Sequence, residues 1–138
     1  MLYLKATVSK FIRTSMPYRM EVTFEGDYVL VISEGEKTLE NITNLWKEIA
    51  RLCHEVQCFK VLGIGKSDNP LSVNESFDHT DSLKKIGITN KFKVAWTDTN
   101  PEAYATLNLL EAVFRRQGIA NGRIFADVHE AKKWLLDD

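Results

Sequence analysis

Apolar residues recur along this chain with two periods, about two and about 3.6, and the switches between them mark out the elements. Met20, Val22 and Phe24 alternate with Arg19, Glu21, Thr23 and Glu25, the period of a half-exposed strand. Glu25-Gly26-Asp27 reads as a turn and residues 28–32 as a second, wholly apolar strand. Two strands joined by so short a turn pair antiparallel. Gly35 is expected to end the second strand and Thr38 to cap a helix. In that helix Leu39, Ile42, Leu45, Trp46, Ile49, Leu52, Cys53 and Val56 form the inner stripe, with Lys47, Glu48, Arg51 and Glu55 opposite. Residues 59–65, a short apolar run with β-branched members, read as a strand buried inside the sheet, and Lys66-Ser67-Asp68-Asn69-Pro70 as the loop that follows it.

The second half repeats this grammar. Ser72 and Glu75 match a capping box, in which the hydroxyl accepts from the backbone amide three residues on and the carboxylate reaches back. The helix they open is expected to bury Phe77, Leu83 and Ile86, to show Asp78, His79, Asp81 and Ser82 to water, and to stop at Gly87. Residues 92–97 predict a strand. Asn100 then caps a helix with Pro101 at its first position, where a missing N–H costs nothing, and Tyr104, Leu107, Leu110, Val113 and Phe114 form its buried stripe. A short strand over 123–125 leads to a last helix framed by Asp127 and Glu130, with Val128, Ala131, Trp134 and Leu135 inward.

The sum is an α/β fold: a mixed sheet of about five strands, an antiparallel hairpin followed by parallel strands, with about four helices mainly on one face. If every crossover is right-handed and each strand adds beside the last, all the helices fall on the same side. The other side, with Tyr28, Leu30 and Ile32 on one pleat and Val29 and Val31 on the next, is not wholly polar, so it is expected to be covered or to pair in a homodimer. Residues 1–15 read as an N-terminal extension, separated by Ser15-Met16-Pro17 from a single domain over 16–138. Their even positions Leu2, Leu4, Ala6 and Val8 are strand-like, and the alternatives for them are an extra edge strand, a swapped arm or a mobile tail.

Composition narrows the class of function. With 138 residues the chain makes one domain with a proper core. A net charge of -1 gives no basic field, which argues against nucleic acid as a partner. No apolar run approaches the roughly 20 residues of a membrane span, and two cysteines with no signal segment point to a cytoplasmic, reducing setting.

The order of elements and several local phrases resemble the SpoIIAA-like family of the STAS/SEC14-type superfold, in its branch of small stand-alone bacterial proteins. The phrases are Glu25-Gly26-Asp27-Tyr28, Leu71-Ser72, Phe114-Arg115-Arg116-Gln117-Gly118, Arg123-Ile124-Phe125-Ala126-Asp127 and Glu130-Ala131-Lys132-Lys133-Trp134-Leu135, spread over residues 16–136. The resemblance implies a domain without enzymatic activity that docks a protein partner or small ligand in a regulatory role, or, as in SEC14-type relatives, carries a small apolar ligand or lipid; an enzyme with an unrecognised site is the weaker alternative, and no cofactor is expected. Anti-sigma antagonists of that superfold have an Asp-Ser-Ser/Thr-Gly phosphoacceptor where the second helix begins. Here Asn69-Pro70-Leu71-Ser72-Val73-Asn74-Glu75-Ser76 stands instead, so the phosphorylation switch is not inherited. Ser72 is nearest in position, and a plain N-cap explains it fully.

Four residues near the end of the central strand stand as ligand or phosphoacceptor candidates: Lys66, Ser67, Ser72 and Ser76. In open α/β sheets ligands gather outside the carboxyl ends of the strands. Gly63-Ile64-Gly65-Lys66-Ser67 ends like a P-loop, but Lys60 stands where the first glycine belongs and Asp68-Asn69-Pro70 delays the helix. A looser anion site of loop amides and Lys66 is the residual alternative. Cys53, His54 and Cys58 lack a fourth ligand and a common face, so no metal is expected. His54, His79 and His129 fall on three different helices with no nucleophile arranged beside them, so no catalytic residue is assigned.

Overall fold

The computed structural model describes residues 18–137 and, as backbone alone, residues 7–12. Among the described residues one sheet of six strands runs in chain order: β1 (Thr7–Ile12), β2 (Tyr18–Phe24), β3 (Val29–Glu36), β4 (Lys60–Asn69), β5 (Lys93–Asp98) and β6 (Asn121–Ile124). The pairs β1–β2 and β2–β3 are antiparallel and the rest parallel. The five expected strands are all present, and part of the expected extension, β1, is the edge strand beside β2. Four helices alternate with them: α1 (Leu39–Val56), α2 (Val73–Ile86), α3 (Pro101–Arg116) and α4 (Val128–Leu136).

Each helix begins where its capping residue stands. Thr38 Oγ1 accepts from the Asn41 amide, the Ser72–Glu75 box closes in both directions, and Asn100 and Asp127 accept from the first-turn amides of α3 and α4. Gly87 ends α2 at a φ of 97°, in the left-handed region where a side chain is strained.

Two strands outrun their expected ends. β3 continues through Gly35 to Glu36, and β4 continues through the segment expected to be a loop, because Glu34, Gly35 and Glu36 go on pairing with Lys66, Ser67 and Asn69 across a local irregularity. The extended edge carries the chain straight into Lys37, whose amide donates to the Asn69 carbonyl.

The pleat divides the sheet into two faces. On the front, Met20, Val22, Phe24, Val29, Val31, Val61 and Val94 join Leu45, Ile49, Leu52 and Cys53 of α1, Leu83 of α2 and Phe114 of α3 in the main core. The expectation that all the helices share this side is corrected by α4. Its Ala131 and Leu135 pack on Leu62 and Ala95 of the back face, with Leu30, Phe125 and Trp134 around them. The winding rule governs a helix that connects two parallel strands of one sheet. No strand follows α4 among the described residues, so it takes the uncovered apolar patch. Val61, 0% exposed, lies at the centre of the sheet, as expected.

Two helix faces also differ from expectation. In α2 the buried residues are Ser76, His79, Thr80 and Leu83, whereas Phe77 is 43% exposed, so the helix is turned and His79 lies inside. In α3 the buried positions are Ala103, Thr106 and Leu110, with Tyr104, Leu107, Val113 and Phe114 only partly covered.

Candidate functional site

The front of the sheet changes character toward the carboxyl ends of the parallel strands. Val22, Val31, Gly63, Trp96 and Ile124 lie side by side in register, and beyond them Met20, Ser33, Gly65 and Asp98. Gly63 is required here: a β-carbon on it would overlap the indole of Trp96, which lies across the strand. A β-carbon on Gly65 would come within 2.5 Å of the Asp98 carboxylate. The two glycines let a large ring and an acid lie flat against β4.

Trp96 in turn stacks on Trp46 of α1, ring centroids 5.7 Å apart and planes 27° from parallel. Between these rings, the sheet and helices α1, α2 and α3 lies a partly open pocket of about 130 Å³ whose walls are almost wholly apolar. Ile42, Leu45, Leu71, Leu107 and Leu110 supply much of that wall. Its polar groups are few: Lys37, Ser67, Ser76, His79, Asp98 and Thr106, with Glu111 and Arg123 also on the lining.

Each of these groups is positioned by the elements that carry it. Asp98, at the end of β5, accepts from the Ser67 hydroxyl at 2.6 Å, from the Ser67 amide at 3.3 Å and from the Asn100 amide at 2.8 Å. Asn100 donates its side-chain amide to the Ser67 carbonyl at 2.7 Å, so the ends of β4 and β5 and the start of α3 are tied together. Lys37 turns beneath the end of β3. Its amine donates to the Ser33 hydroxyl, which also meets the Tyr18 hydroxyl at 3.0 Å, and it stands 5.1 Å from the centre of the Tyr18 ring. Burial pulls the Lys37 amine down from 10.5 to about 8, against the opposing pull of Asp98, Glu34 and Asp68. Burial likewise pushes the Tyr18 phenol up to about 12.

His79 stands apart from this network. Its side chain is buried, both ring nitrogens lack a hydrogen-bond partner among the described residues, and burial pulls its pKa down to about 4, so the imidazole is neutral at physiological pH. Thr80, its neighbour on the same face, is already engaged, donating to the Phe77 carbonyl at 2.7 Å.

Of the four candidates read from the sequence, Ser67 and Ser76 are buried and line the pocket, whereas Lys66 and Ser72 are exposed and lie outside its lining. The residual anion site at Lys66 loses its loop, since Lys66 is inside β4. Ser72 is engaged in its capping box. Sequence reasoning missed Lys37, Trp96 and Asp98, and placed His79 on the wrong face. Among the described residues no cluster of histidine, cysteine and carboxylate side chains could hold a metal ion. None of the helices there is long and apolar enough to cross a membrane.

No protein-family model matches the sequence, and no curated protein is significantly similar to it. One similar solved structure is an uncharacterised protein of the DUF3478 family from Shewanella loihica PV-4, with 16% identity, 98% of each chain covered and a TM-score of 0.43. A likeness at that level says nothing of activity, ligand or partner. The fold of that protein is described as SpoIIAA-like.

Proposed function

We propose that this domain is a non-catalytic binding module that takes one small, largely apolar molecule into the pocket between Trp46, Trp96 and helices α1 to α3. The observation that carries the reading is a space of about 130 Å³ with an apolar wall and a small polar set at one end. Ligand sites have that composition: hydrophobic walls for affinity and a few fixed polar groups for orientation. Volume decides the size class. An apolar protein cavity of about 150 Å³ accepts benzene, so the enclosed part of this pocket takes one ring or a short branched chain. This narrows the carrier role that the family resemblance implies. The absence of catalysis is part of the proposal, and its support is that Asp98 and Ser67 are spent on each other and Lys37 on Ser33, rather than aimed as acid, base and nucleophile at a common point.

The test is a titration with toluene followed by the indole N–H resonances. Trp46 and Trp96 are expected to shift, while Trp134, on the back face, serves as the internal reference. Widespread shifts that include Trp134, or none at all, would reject the pocket as the site. Docking of a protein partner or of a second copy would use another surface, the part of the back face beyond α4 where Ile32 and Ile64 are half-buried. Light scattering that gives a dimer at micromolar concentration, abolished by Ile32→Lys, would favour that role.

A further inference from the structure

We infer that His79 reads the polar group of the ligand, and that the ligand is a neutral aromatic ring bearing a hydroxyl, of the phenol class. The inference rests on the ligand-binding reading above and deepens it. Its starting point is the imidazole on α2, 6% exposed, on the pocket lining, with neither nitrogen paired among the described residues. Buried polar groups are rarely left so, because an unmade hydrogen bond inside a protein forfeits the full desolvation cost. A neutral imidazole carries one N–H donor and one bare nitrogen acceptor. As the ring stands, both nitrogens are closed to a water-sized group, so a ligand hydroxyl meets one of them, donating to the bare nitrogen or accepting from the N–H, when the ring turns toward the pocket.

The charged groups of the lining are already engaged, and the hydroxyls of Ser76 and Thr106 on the same lining are the alternatives that the His79 variants separate from the imidazole. The Asp98 carboxylate already accepts from Ser67 and Asn100, and the Lys37 amine donates to Ser33. Charge points the same way. Lys37 and Arg123 on the lining are offset by Asp98 and Glu111, so there is no surplus of either sign to hold a carboxylate, a phosphate or an ammonium group. A neutral His79 adds none. Shape selects the body of the ligand: the stacked Trp46 and Trp96 rings offer aromatic surface, against which another ring packs offset or edge-on, and the volume admits one ring.

The experiment compares para-cresol with toluene, which differ by one hydroxyl, on the full chain and on His79→Leu and His79→Gln, with binding read from the Trp46 and Trp96 indole resonances. Para-cresol is expected to bind the unaltered protein about tenfold more tightly than toluene, the worth of one buried hydrogen bond. His79→Leu should remove the preference and bring the two compounds to equal affinity. His79→Gln, which keeps a donor and an acceptor, should retain part of the preference, and it also guards against a folding defect in the leucine variant. Equal affinities in the unaltered protein, or a preference that survives His79→Leu, would overturn the role of His79 while leaving the pocket reading intact. If neither compound moves the Trp46 and Trp96 signals, both readings fall.

Discussion

The two ends of the sheet's front face follow opposite rules. Where the parallel strands begin, Phe24, Val29, Val61 and Val94 lie side by side in register, each no more than 6% exposed. Where the same strands finish, the corresponding row is Met20, Ser33, Gly65 and Asp98, and the row between the two gives up a side chain at Gly63 to admit Trp96. The first end is filled with interlocking aliphatic groups, as protein interiors are. The second end trades that filling for space, aromatic surface and a few fixed polar groups. Packing density thus separates the part of the molecule that holds the fold from the part that is free to do something else.

The largest expected effect tests that division directly. Leu52, in the later part of α1, is 0% exposed and outside the pocket lining, so Leu52→Ala leaves a void that nothing can enter and should cost about 4 kcal/mol, near the upper part of the usual range. Leu110 is nearly as buried, at 3%, but lines the pocket. The space lost by Leu110→Ala joins one already present, so the added cavity term shrinks and about 2 kcal/mol is expected. Urea denaturation of the two variants gives both numbers, and equal losses would show that the two ends are packed alike.

Next in size is the cost of keeping His79 neutral. Its folded pKa is about 4, below its ordinary 6.5, so between those values the unfolded chain binds a proton that the folded chain refuses. Stability is therefore lost as pH falls from 6.5 to 4, by roughly 3 kcal/mol at the lower end. The groups that share the pocket lining with the imidazole are Lys37, Asp98, Glu111 and Arg123. Denaturation of His79→Leu over the same range isolates the histidine's share: the difference from the unaltered protein should be flat above pH 6.5 and fall below it. A difference independent of pH would place the imidazole in contact with water.

Lys37 gives a smaller effect at the other end of the scale. Its folded pKa of about 8 lies below 10.5, so the unfolded chain again holds the extra proton and stability rises with pH from 8 upward. The gain does not run its full course. Cys53, pushed up to about 12 by burial, stays protonated in the folded chain, and its ionisation in the unfolded chain opposes the trend above about pH 9. Between pH 8 and 9 the amine's share of the rise should be about 1 kcal/mol, and that share should vanish in Lys37→Met. A rise that persists unchanged in that variant would mean the amine is solvated.

Much of the architecture was legible because local chemistry and tertiary structure agree. The hairpin turn at Glu25-Gly26-Asp27, the stripe of α1, the box at Ser72 and Glu75 and the Asn100-Pro101 start of α3 all form where the residues place them. The misses share a cause, which is that the deciding partner is distant in sequence. Ser67 and Asn69 extend β4 only because Gly35 and Glu36 are there to pair with them, and α4 turns to the back face because Leu62 and Ala95 are left bare. In α2 the isolated Phe77 suggested the buried side. A better signal was the charge-free line Ser76, His79, Thr80 and Leu83, spaced three, four and seven apart, while Glu75, Asp78, Asp81, Lys84 and Lys85 occupy the rest. The site itself was half legible. Ser67 and Ser76 are on its lining, but Lys37, Trp96 and Asp98 gain their meaning from Gly63 and Gly65 on a neighbouring strand, and no spacing along the chain announces that.

The smallest effect concerns Ser72, the N-cap of α2 and one of the four candidates read from the sequence. Its hydroxyl accepts from the Glu75 amide at 3.1 Å and its own amide donates to the Glu75 carboxylate at 3.2 Å, both exposed to solvent. Removing the hydroxyl in Ser72→Ala should cost about 0.5 to 1 kcal/mol, the modest value of an exposed cap. Ser72→Asp separates a cap from a switch. Aspartate caps as well as serine, and its charge is favourable at a helix N-terminus, so stability should return to within a few tenths of a kcal/mol of the starting value. Because Ser72 is off the pocket lining, toluene binding should be unchanged in both variants. A large change in binding or in association with the aspartate, at intact stability, would mean that charge at this position is read by something beyond the helix.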